Sequence, residues 1–65
     1  MSTLGEELPK EMARCREVLV IYKSIPLGAF GAMHIEHALK IADEAVMSGD
    51  LVRMIAAYED LRGIE

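Results

Sequence analysis

Two histidines are the side chains whose type and spacing come nearest to a site of chemistry. His34 and His37 stand three positions apart, and two imidazoles on one helical face can share a metal ion. At roughly 100° per residue, however, His37 lies about 60° from His34, at the edge of the polar face. Among the acidic residues, only Glu44, two turns after His37, is spaced so that it would add a carboxylate ligand to the two histidines. We therefore predict no metal site and no cofactor; a metal or small apolar ligand centred on His34 is the alternative.

His34 itself falls inside the apolar arc of its helix, between Ile41 and Ala45. This position predicts a polar group in the core, donating to a carbonyl or to a partner residue. A second interpretation is a pH-sensitive interface, because histidine titrates in the physiological range and charging a buried imidazole costs stability.

Cys15 is the single cysteine and lies on the apolar side of the first predicted helix. We predict a buried structural thiol, since a nucleophile would need a histidine base brought close by the fold. One cysteine forms no internal disulfide and fits a reducing compartment. No catalytic residue is predicted, and we expect that the protein is not an enzyme.

A glycine-containing segment, Gly28-Ala29-Phe30-Gly31, opens the second helix. Free N–H groups at a helix start can hold an anion. A phosphate-binding loop needs a longer glycine run followed by Lys and Ser or Thr, whereas Ala32 follows here. The glycines are therefore predicted to permit a turn and the close approach of the first helix.

Composition narrows the class of protein. The chain has 65 residues, with 11 Asp and Glu against 7 Lys and Arg, and a net charge of −4. Nucleic-acid binders present a basic patch, which this acidic chain of mixed charges lacks. The longest aliphatic and aromatic run, 18–22, is too short to cross a bilayer, and the polar N-terminus is unlike a signal peptide. We expect a cytoplasmic protein with no membrane partner.

Apolar periodicity predicts one all-α domain over residues 1–65 with three helices, at about 9–23, 29–48 and 51–61. Residues 1–7 are predicted to be flexible, because Pro9 suits a first helical position. Pro26 and Gly28 interrupt the first two helices. Gly49 is predicted to end the second helix and Asp50 to cap the third, which makes a C-terminal helical hairpin.

The second helix carries an apolar face about 180° wide, more than one neighbouring helix covers. A chain this short builds a core worth only about 3–5 kcal/mol. We therefore predict a homodimeric helical bundle, in which a second molecule covers what the chain leaves exposed. Candidate interface residues are Val20, Ile21, Ile35, Leu39 and Val46.

The function that best fits these features is a small protein-interaction or regulatory module without catalysis of its own. An oligomeric nucleic-acid-binding regulator is a further alternative, since the second and third helices have helix-turn-helix spacing if Val52, Ile55 and Tyr58 pack inward. In that arrangement the third helix would contact the nucleic acid. It offers Arg53 as a positive charge against Glu59 and Asp60, which is too little positive charge for phosphate contacts. The methionines are predicted to fill the core, or to line an adaptable groove.

Overall fold

Three α-helices make up the fold: α1 (Leu4–Ser24), α2 (Ala29–Ser48) and α3 (Leu51–Arg62). They come from a computed structural model, which describes residues 2–65. Each helix packs against the other two, so the predicted all-α, three-helix domain is confirmed. Within the described residues, no helix has both the length and the apolar character that a membrane crossing requires.

The first helix begins earlier than predicted. It starts at Leu4 and contains Pro9, whereas the sequence placed its start near Pro9 and residues 1–7 in a flexible segment; Met1 lies outside the described residues. The amides of Glu6 and Glu7 donate to the Thr3 carbonyl at 3.0 and 2.8 Å. Leu4 packs against the core, and acidic side chains favour a helix N-terminus. These gains outweigh the hydrogen bond that Pro9 cannot donate.

The two breaks between helices lie where the sequence predicted them. Ile25 is extended (φ −95°, ψ 127°), as expected before a proline. Gly49 ends α2 with φ 69°, in the left-handed region that glycine adopts without strain. The Asp50 carboxylate accepts hydrogen bonds from the amides of Val52 and Arg53 at the start of α3, at 3.0 and 3.3 Å.

Small side chains on α2 decide how much of its apolar face is covered. Ala32, Ala38, Ala42 and Ala45 are all buried, and such residues let neighbouring helices approach closely, because axis separation depends on the side chains at the contact. The core is completed by side chains from the other helices and the C-terminal segment: Leu8, Met12, Cys15, Ala57, Leu61 and Ile64.

Two of the predicted interface residues belong to this core. Ile35 is 2% exposed and Leu39 7% exposed within a single chain. The prediction that a second molecule covers them is wrong, because α1 and α3 both lie against α2 and enclose them. Val46 keeps 44% of its surface exposed, so only part of the wide face remains open.

Candidate functional site

The histidines lie outside the core. Both are exposed, so the predicted polar-core position of His34 is wrong. On the helical wheel it lies just beyond Ala38 and Ala45, at the margin of the buried face, where its ring reaches water. Within residues 2–65 no group of three or more His, Cys, Asp or Glu side chains is placed to hold a metal ion. A pH-sensitive interface at His34 stays a prediction.

Cys15 is fully buried, as predicted. Its thiol donates to the Leu61 carbonyl at 3.5 Å, and burial raises the pKa of the thiol. A buried thiol that keeps its proton is a poor nucleophile. Its position supports a packing role between α1 and α3.

We expect the Cys15 thiol to resist alkylation by iodoacetamide in the native protein and to react rapidly in denaturant. Because folding raises the pKa of this thiol, the unfolded chain loses the thiol proton at a lower pH than the folded chain does. The free energy of unfolding should therefore fall as pH rises above about 8.5. Chemical denaturation across pH checks the slope, with Cys15→Ala as control. An equal alkaline slope in the variant would contradict the assignment.

Arg14 joins α1 to the C-terminal segment. Its guanidinium donates to Glu11 Oε2, to the Leu61 carbonyl and to the Ile64 carbonyl, each at 2.8 Å. The hydrogen bond to Glu11 raises the pKa of Arg14. The cation therefore contacts one carbonyl in the last turn of α3 and one just beyond the helix, and it complements the helix dipole. Sequence reasoning missed this contact, since its carbonyl partners lie 47 and 50 residues away and no local pattern links them.

The glycines at the start of α2 allow close packing on Tyr22. A Cβ on Gly28 would overlap the Tyr22 carbonyl group, and one on Gly31 would overlap the Tyr22 ring. The Gly28 amide also donates to the Ile25 carbonyl at 2.9 Å, closing the turn. This is the predicted role in the turn and in the close approach of α1.

Apolar side chains are exposed around this turn. Leu27 is 94% exposed, Phe30 87% and Met33 66%, with Ile25 also exposed. All four lie in residues 24–35, a segment without a formally charged side chain, which we call the uncharged corner. Sequence reasoning placed Phe30 on the apolar arc of α2 and expected the methionines, Met33 among them, to fill the core or to line an adaptable groove. The sequence signal that could have identified this surface is the run without a formally charged side chain, residues 24–35, which spans the turn between α1 and α2.

An open groove of about 460 Å³ lies beside the uncharged corner, between the end of α1 and the start of α2. Its apolar lining comes from Tyr22, Ile25, Pro26, Ala29, Ala32 and Met33. Lys23 and Glu36 also line the groove, and their side chains form a salt bridge at 3.0 Å. The arrangement offers a shallow apolar surface, with both signs of charge at its boundary, for contact with another molecule.

The remaining predicted interface residues are exposed but dispersed. Val20 and Ile21 both lie open on α1, about 100° apart around the helix. Val46 is on the last turns of α2, toward the α2–α3 turn, where Met47, Leu51 and Val52 are also exposed. A helix the length of α2 spans about 30 Å, so this second apolar end is distant from the uncharged corner.

The helix-turn-helix interpretation loses its packing argument. That alternative required Val52, Ile55 and Tyr58 to pack inward; Tyr58 packs against the core, but Val52 is 76% exposed and Ile55 is exposed as well, so the condition is not met. The buried side of α3 is formed instead by Ala57 and Leu61. Arg53, the basic residue of the proposed reading helix, lies 3.8 Å from the Asp50 carboxylate.

Comparison of the chain with protein-family models, with curated proteins and with solved structures finds no match.

Proposed function

We propose that this protein is a small protein-interaction module whose working form is a homodimer joined through the uncharged corner. The observation that carries the proposal is the exposure of Leu27, Phe30 and Met33 together on a segment without charge. Contiguous exposed apolar surface on a small protein is typical of an interaction site. No catalysis enters the proposal.

The shape of the surface favours a macromolecular partner. Sites for small molecules enclose most of the ligand surface, whereas the groove is open and its neighbours Leu27 and Phe30 extend into solvent. An 87%-exposed phenylalanine alone offers about 150–200 Å² of apolar area. Flat contact over several such side chains suits a folded protein surface.

Charge favours a second copy as that partner. Two molecules that each have a net charge of −4 repel each other. A contact through residues 24–35, however, brings them together without burying like charges. Lys23 and Glu36 give the boundary of the corner one charge of each sign. A two-fold axis places a surface against its own copy, so Lys23 of one molecule can face Glu36 of the other.

Leu27→Asp tests the proposal. We expect it to raise the dissociation constant of the dimer at least about tenfold, because a carboxylate would be buried in an apolar contact. Leu27 is almost fully exposed in the single chain, so helix content and melting of the monomer should hardly change. Sedimentation velocity over a micromolar concentration series measures the effect.

Val52→Asp is the matched control. It places the same charge at an exposed valine of the distant end and should leave the dimer intact. Wild-type protein that sediments as a single chain throughout the series contradicts the homodimer. Equal weakening by the two variants would contradict the assignment of the interface to the uncharged corner.

A further inference from the structure

The uncharged corner presents a projecting side chain, Phe30, next to an open groove. Within its own molecule that side chain does not enter the groove. Phe30 is 87% exposed and is absent from the lining of the groove. Ala29 and Met33, on the same turn of α2, do line it. On the helical wheel Phe30 lies about 60° from Met33 and 100° from Ala29, just outside the groove.

We infer that the two molecules of the dimer exchange Phe30, each ring entering the groove of the other copy. This inference rests on the homodimer proposed above and names the contact that holds it. A two-fold axis requires every contact to occur twice, so one projecting ring and one groove on the same surface supply a complete reciprocal pair. No second type of partner is needed to cover either feature.

The groove suits an aromatic ring in size and chemistry. Its volume of about 460 Å³ exceeds that of a phenyl ring, and Ile25, Pro26 and Ala29 give it apolar walls. Met33 supplies a flexible thioether, which adapts its shape and makes favourable sulfur–aromatic contacts. A single aromatic anchor seated in an apolar groove is the arrangement that dominates the energy of many protein interfaces.

Complementation between two variants tests the exchange. Phe30→Ala removes the ring and leaves the groove, whereas Met33→Glu places a carboxylate in the groove and leaves the ring. Both residues are largely exposed in the single chain, and both replacements are good helix formers. We expect each variant alone to dimerise at least about 100-fold more weakly than wild type, because both ring contacts are lost.

Mixing the two variants restores one contact, since the intact ring of Met33→Glu can enter the intact groove of Phe30→Ala. We expect the mixed dimer to form at least about tenfold more tightly than either variant alone. The matched control pairs wild type with the double variant Phe30→Ala, Met33→Glu. This control mixture contains the same two substitutions. In its mixed dimer the one Phe30 ring belongs to the wild-type molecule and faces the charged groove of the double variant, so no gain is expected.

Fluorescence titration with one labelled partner, at high salt to screen net charge, measures these constants. A wild-type protein that stays monomeric would overturn the homodimer, and the exchange with it. A wild-type dimer whose variants show no gain on mixing would overturn the Phe30 exchange alone. A gain in the first mixture and none in the control supports it.

Discussion

Replacing Gly28 by alanine is expected to destabilise the protein by about 3 kcal/mol, the upper end of the usual cost of overpacking. The new methyl group would overlap the Tyr22 carbonyl group and approach the Ile25 carbonyl oxygen to 3.2 Å. These are backbone atoms at the end of α1, which cannot turn away as a side chain can. Urea denaturation followed by circular dichroism measures the loss.

The same change at Gly63 is the control. A Cβ there lies 3.5 Å from the Asp60 carbonyl oxygen, an ordinary contact, and the backbone φ of −76° suits any residue. Gly63→Ala should therefore stabilise the protein by about 0.4–1 kcal/mol, through the lower entropy of the unfolded chain. Similar losses at the two positions would contradict the close approach at Gly28.

The Gly28 contact also matters for the proposed function. It fixes the end of α1 against the start of α2, and Tyr22 packs on Gly31 within the same junction. The groove lies between these two segments. Gly28→Ala should therefore weaken dimerisation as well as folding, whereas Leu27→Asp should affect dimerisation alone.

Removing the guanidinium of Arg14 is expected to cost about 2 kcal/mol, because hydrogen bonds to a charged donor are each worth about 1.5–3 kcal/mol and partial exposure reduces their sum. Arg14→Met keeps most of the aliphatic stem and removes the donors to Leu61 and Ile64. Thermal and urea unfolding measure the loss. Hydrogen exchange at the end of α3 should also become faster.

Arg16→Met is the control on the same helix. Arg16 pairs with Asp43 at 3.6 Å, and both side chains are more than half exposed, so its removal should cost less than about 1 kcal/mol. Equal effects of the two substitutions would show that Arg14 acts only as a surface charge. Unchanged exchange at the end of α3 in Arg14→Met would contradict its role in holding that segment.

Local features of the fold were predictable because they depend on residues that are neighbours in sequence. The proline after Ile25 disfavours helix at that residue. A helix that ends in the left-handed conformation favours glycine, which stands at position 49. The Asp50 carboxylate reaches the amides two and three residues ahead. The burial of Cys15 followed from the periodicity of α1. The start of α1 was misplaced, because the packing of Leu4 on the core outweighed the local preference of Pro9.

The sequence by itself determined three helices, their breaks and an apolar side on each, since periodicity and turn chemistry act within a few residues. It also contained the charge-free segment 24–35. Only the tertiary structure decided that, within a single chain, Ile35 and Leu39 are enclosed while Phe30 and His34 are exposed. The physical reason is distance: alanines on α2 let α1 and α3 close over one part of its apolar face, and how far that cover extends depends on helix separation, which no local pattern specifies.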